Sequence, residues 1–139
     1  MIRGAKNIYL IANGTSNYAC ISASYKFASL ADISIDAMLA SELPHFAKFL
    51  DKDDVVIAVS QSGETMDVMN ASRYAKEKGA KLISIVNVMG SSLTRMSDFN
   101  LLMRAGPEIS VVSTKAYTAE LTVLTLLAYA LAGRFEEGK

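Results

Sequence analysis

Cysteine is almost missing from this 139-residue chain. The lone Cys20 excludes an internal disulfide and a cysteine-based zinc site, and it fits a reducing cytoplasm. Flanked by Tyr18, Ala19 and Ile21, it reads as a small buried apolar side chain. Histidine is equally scarce. His45 stands alone, which excludes a multi-histidine metal site, and beside Pro44 and Phe46 it reads as a packing or surface residue rather than a base. Charge of one sign is lacking too: 14 basic and 14 acidic residues cancel, and no two basic residues adjoin. Nothing here builds a field for nucleic acid or anionic lipid. Long hydrophobic runs are also absent. The one near the start covers only Ile8 to Ala12 before Asn13-Gly14 ends it, too short for a signal peptide. Ala116 to Ala132 carries Thr118, Glu120, Thr122 and Thr125, whereas a membrane span needs about 20 mostly apolar residues. The expectations are a cytoplasmic protein with no metal, no cofactor, no membrane contact and no nucleic-acid partner.

Apolar residues are plentiful, at 51%, against 20% charged. That balance leaves more apolar surface than a small domain hides by itself, so a homodimer is expected. The helix from Ala116 to Ala132, apolar nearly all round, is the foremost contributor. The length suits one domain over residues 1–139, without linkers, repeats or low-complexity stretches.

Strand and helix patterns alternate along the chain. Ile8 to Ala12 and Val55 to Val59 are continuous apolar runs of the kind found in strands buried on both faces. Ile33 to Ala37 alternates and reads as a half-exposed edge strand; Leu82 to Val86 and Phe99 to Met103 supply two more. Thr15 or Ser16 is placed to cap a helix running to about Leu30, and Ser41 to Pro44 suggests a short helical turn. A helix from about Thr65 to Lys78 is stopped by Gly79, with Met66, Met69, Ala71 and Tyr74 expected on its apolar face. Ser113 or Thr114 opens the closing helix. The pattern predicts an α/β doubly wound fold, an αβα sandwich on a five-stranded parallel sheet in the order 2-1-3-4-5.

In that order β-strands one and three are neighbours, and a crevice opens beyond their C-terminal ends. Two polar loops fall there: Asn13-Gly14-Thr15-Ser16 and Ser60-Gln61-Ser62-Gly63-Glu64-Thr65. The second has hydroxyls on Ser60, Ser62 and Thr65, an amide on Gln61, a turn at Gly63 and a helix N-terminus, which together suit a phosphate. The competing reading is plain helix capping by Ser62 or Thr65. Glu64 opposes the phosphate unless it points away or finds a partner. Neither a Walker loop nor a three-glycine dinucleotide fingerprint is present. Ser91 and Ser92 read as helix caps, and Lys115 as a surface lysine. No catalytic triad, carboxylate pair or base for moving a sugar proton is visible, so no catalytic residue is assigned.

Taken together, Gly14-Thr15-Ser16, Ala40-Ser41-Glu42, Ser60 to Thr65, Gly90-Ser91-Ser92-Leu93 and Ser113 to Thr118 resemble the sugar isomerase (SIS) domain. The likeness is closest to the first of two such domains in the glucosamine–fructose-6-phosphate aminotransferase family, and it spans nearly the whole chain. Asn13 stands where that family often has cysteine or glycine. The resemblance implies that Ser60, Gln61, Ser62 and Thr65 hold the phosphate of a hexose phosphate. Thr15, Ser16, Val111 and Ser113 would then contact the sugar or close the pocket, Val111 through its backbone. It also implies a homodimer or a second SIS domain as partner. The family's base, ring-opening histidine and Schiff-base lysine have no matching position here, and neither has its glutaminase domain. The expected function is binding of fructose 6-phosphate or glucosamine 6-phosphate without full synthase activity; a sugar-phosphate sensor and an assembly module with a vestigial pocket are the alternatives.

Overall fold

Two apolar runs with no polar break form the centre of the molecule. In the computed structural model, which describes residues 1–106 and 114–138, β1 (Ile8–Ala12) and β3 (Val55–Ser60) are buried along their full length. Strands enclosed on both faces have only hydrocarbon neighbours, which is why neither sequence alternates. The remaining strands are β2 (Asp36–Leu39), β4 (Lys81–Val86) and β5 (Phe99–Leu102). All four pairings are parallel, in the order β2-β1-β3-β4-β5, as the sequence predicts.

Among the described residues five α-helices cover the sheet: α1 (Thr15–Ala31), α2 (Leu43–Phe46), α3 (Met66–Glu77), α4 (Ser92–Met96) and α5 (Thr114–Leu131). One core lies between the sheet and the α1/α5 layer, with Leu10, Phe27, Ile57, Ile85 and Leu124 among its members. A second lies on the opposite face, where Val68, Ala71 and Ala75 of α3 pack with Ile11, Val56 and Leu82. Cys20 is fully enclosed in the first core, and burial pushes its thiol pKa far up. Among the described residues no helix is long and apolar enough to cross a membrane. None of their His, Cys, Asp and Glu side chains form a group of three or more placed to hold a metal.

Three local expectations are corrected. The edge strand starts at Asp36 rather than Ile33, because α1 closes first: Asp32 takes a left-handed conformation (φ 55°) and the Ile33 N–H returns to the Phe27 carbonyl. Neither Thr15 nor Ser16 caps α1. Gly14, at φ 57° and ψ −135°, occupies the cap without any side-chain bond. The buried face of α3 is Val68, Ala71, Ser72 and Ala75, whereas Met66 and Tyr74 are exposed. Small residues there let the helix backbone lie close on the sheet, and the large apolar side chains are left outside.

Candidate functional site at the mouth of β1 and β3

The reversal of strand order at β1 leaves a crevice, since the connections from β1 and β3 leave the sheet on opposite faces. Asn13, Thr15, Ser16, Ser60, Gln61, Ser62 and Thr65 line it, over a floor of Val59 and Val68, and enclose about 210 Å³. Six of the eight expected site residues therefore meet in one cleft. Val111 and Ser113 lie outside the described residues.

Helices α1 and α3 both begin at this cleft, and neither carries a side-chain cap. The first-turn N–H groups of a helix have no carbonyl partner of their own, and they place the positive end of the dipole there. At α3 these are the amides of Met66, Asp67 and Val68; the first helical bond runs from Met69 to the Thr65 carbonyl, at 2.9 Å.

The loop between β3 and α3 is braced by its own hydroxyls. Ser60 Oγ accepts from the Gly63 N–H at 3.1 Å and sits 3.1 Å from Thr65 Oγ1, while Ser62 Oγ accepts from the Glu64 N–H at 3.1 Å. Gly63 and Glu64 amides are thus used internally, which narrows the set of free donors expected from sequence. What remains is the Ser62 hydroxyl proton, one proton of the Ser60–Thr65 pair, the Gln61 amide and the α3 first turn.

Glu64 faces away from the cleft. Its Oε1 accepts from the Ser92 N–H at 2.7 Å, and that bond holds its carboxyl below the usual carboxylate range. The Gly63 carbonyl accepts from Leu93 N–H at 3.1 Å, and Ser91 Oγ accepts, at a long 3.5 Å, from Thr94 N–H. The short helix α4 is consequently capped by the loop in front of it: Ser91 serves as its cap, as expected, whereas Ser92 is its first residue and its hydroxyl accepts from Arg95 Nη2 at 2.9 Å. One anion does stand at the cleft: Asp67, in the first turn of α3, accepts from Asn13 Nδ2 at 2.7 Å, and Asn13 Oδ1 takes the Ala40 N–H at 3.2 Å.

Glu120 of α5 escaped the sequence reading as a site neighbour. It is only 1% exposed, accepts from Ser16 Oγ at 2.7 Å, and is pushed up in pKa by burial, an effect the Ser16 bond partly offsets. A charged residue amid an apolar helix face was the available signal, but its partner lies 104 positions away. Lys115 is exposed and is not part of the cleft wall; its ammonium lies over Gly106. His45 is exposed on α2. A larger depression of about 400 Å³, lined by Asn70, Arg73, Tyr74 and Glu77, takes all its walls from α3 and is a surface concavity rather than a site.

The family model of the SIS domain matches residues 1–130. The glutamine–fructose-6-phosphate aminotransferase [isomerizing] of Thermotoga maritima is 46% identical over 127 residues, 91% of this chain and 21% of that protein. The Saccharomyces cerevisiae protein of the same name is 41% identical over 131 residues, covering 94% and 18%. Among solved structures, the C-terminal domain of glucosamine-fructose-6-phosphate aminotransferase from Francisella tularensis superposes with a TM-score of 0.85 at 32% identity. It covers 97% of this chain and 38% of its own. The chain spans about a fifth of the length of the curated relatives it matches. With fold, cleft and sequence in agreement over nearly its whole length, this chain belongs to the SIS domain family.

Proposed function

We propose that the cleft at β1 and β3 binds a hexose phosphate, fructose 6-phosphate or glucosamine 6-phosphate, as the ligand-binding half of an isomerising aminotransferase. The observation that carries this reading is the meeting of Ser60, Gln61, Ser62 and Thr65 with an uncapped α3 N-terminus in one concavity. Hydroxyl and amide donors at a helix start hold a dianion without a lysine or arginine. The phosphate sits against this end, and Thr15 and Ser16 face the sugar, which Val111 and Ser113 also contact or help to enclose. Complete small-molecule sites occupy about 300–1,000 Å³, so a cleft of about 210 Å³ suits the phosphate and part of the sugar. That size supports completion of the site by a second copy or a second SIS domain.

Among the described residues no side chain at the cleft is placed as a base for the C1–C2 proton shift, which supports binding without full synthase activity. Calorimetric titration of the chain with fructose 6-phosphate and with glucosamine 6-phosphate tests the reading. Saturable binding is expected; silence from both at millimolar concentration overturns it in favour of an assembly role. Conversion of fructose 6-phosphate with glutamine or ammonia to product by this chain alone would overturn the assignment of a non-catalytic half.

A further inference from the structure

Ser16 sits where the cleft meets the seam between α1 and α5, and its Oγ is 2.7 Å from Glu120 Oε1. Glu120 is 1% exposed, and its Oε2 has no hydrogen-bond partner among the described residues. Among the described residues no lysine, arginine or histidine pairs with it. The buried thiol of Cys20, on the same helix as Ser16, lies within reach of this carboxyl, which adds to the upward push that burial gives the thiol. A buried carboxyl is costly unless donors serve it, and here Ser16 is the donor at hand. Packing alone would put a hydrocarbon side chain at this position.

A serine hydroxyl has one proton and two lone pairs. With its proton directed at Glu120, the Ser16 oxygen shows the cleft lone pairs only. The opposite wall, made by Ser62, the Ser60–Thr65 pair and the first turn of α3, shows donors. The Ser16 oxygen therefore faces them as an acceptor, next to the Thr15 hydroxyl and the first-turn amides of α1 on its own side.

We propose that Glu120 is a positioning residue: by holding the Ser16 proton it fixes the Ser16 oxygen as an acceptor toward the cleft, which selects ligands bearing a hydroxyl or amino group at that point beyond their phosphate. The proposal rests on the sugar-phosphate reading of the cleft. Glu120 itself stays behind Ser16. A ligand presenting a carbonyl or ether oxygen to Ser16 would set lone pairs against lone pairs, and is disfavoured.

The test compares inorganic phosphate, which reports the donor wall, with glucosamine 6-phosphate, which reports both walls, on the full chain. Glu120→Met keeps the size of the side chain and frees the Ser16 proton. It should weaken glucosamine 6-phosphate about tenfold, the scale of one lost hydrogen bond, and leave phosphate unchanged. Glu120→Gln retains an acceptor oxygen and should restore affinity to near wild type. Ser16→Ala should reproduce the Glu120→Met loss, and the double variant should lose no more than either alone. Equal weakening of both ligands by Glu120→Met, no weakening of either, or additive losses in the double variant would overturn the proposal. Should Glu120→Met fail to fold, Ser16→Ala decides: unchanged glucosamine 6-phosphate affinity sinks the idea. Wild-type chain that binds neither ligand would instead sink the underlying reading, and this outcome is seen before any substitution is made.

Discussion

Replacing Gly63 by alanine should be among the most damaging single-methyl changes available in this chain. Gly63 has φ 68°, and a Cβ built on it falls 2.2 Å from Ser91 Oγ and 2.6 Å from Ser91 Cβ. The left-handed backbone alone costs an alanine about 1–2 kcal/mol. Forcing a methyl into an occupied space adds about 1–3 kcal/mol, because Ser91 Cβ is not the loose end of a long side chain. A total near 3 kcal/mol is a large share of the roughly 5–15 kcal/mol that holds a domain together. Two controls separate the contributions. Gly90 also has positive φ (77°), but a Cβ there meets nothing within 4 Å, so Gly90→Ala should show the backbone cost only. Ser91→Gly removes both clashing atoms, at a cost of a few tenths of a kcal/mol for a glycine cap. In the pair Gly63→Ala with Ser91→Gly the nearest remaining neighbour recorded is Val86 Cγ1 at 3.4 Å, an ordinary contact. Urea unfolding of the four variants measures the cycle. Ser91→Gly should recover about 1–3 kcal/mol of the Gly63→Ala loss. If Gly63→Ala is as mild as Gly90→Ala, or if Ser91→Gly brings no relief, the contact between the loop and α4 does not exist as described.

Ser62→Ala and Ser60→Ala should part company. Ser62 is half-buried, so its loss should weaken hexose-phosphate binding in calorimetry with little change in the urea midpoint, whereas Ser60 is 3% exposed and leaves the Gly63 N–H unserved, adding about 1–3 kcal/mol of lost stability. Burial raises the pKa of Glu120 above its ordinary 4.5, so the native state holds the proton more tightly than the unfolded chain. Wild-type stability relative to Glu120→Gln should therefore be fully present below about pH 4.5 and fall as pH rises through the raised native value, as read by thermal melts across pH. Glu64, whose native pKa is lowered, contributes in the opposite direction, losing stability as pH falls; the paired comparison cancels it. Leu126 lines an apolar groove with Leu101, Leu102 and Leu127, and the chain should sediment as a dimer that Leu126→Arg disperses; a wild-type monomer at high concentration would refute the apolar-excess reasoning.

The sheet was legible because burial on both faces keeps β1 and Val55 to Val59 of β3 free of charged and hydrophilic side chains, a pattern no loop imitates. Strand order followed from it: a half-exposed strand goes to the edge. Boundaries were harder. Ile33 and Ile35 alternate like a strand, yet a left-handed Asp32 uses the Ile33 amide to finish α1, a geometry for which glycine is the usual marker. The face of α3 was misjudged because hydrophobicity favours Met66 and Tyr74, while the fit against the sheet favours alanine and serine. In the cleft, loop composition pointed to the right residues, but not to which of their protons were already committed. Hydroxyls bracing their own loop and hydroxyls facing a ligand are the same letters. The link from Ser16 to Glu120 is a tertiary pairing, and nothing local to either residue announces it.

Cys20 lies sealed in the first core, on the same helix as Ser16, and it is the one thiol in the sequence. It therefore works as a silent reporter. A thiol reagent finds it only when α1 and α5 part, so the labelling rate measures how often that seam opens. Slower labelling with a sugar phosphate present would register ligand in the cleft as added cohesion between the two helices, with no dye or engineered tag required.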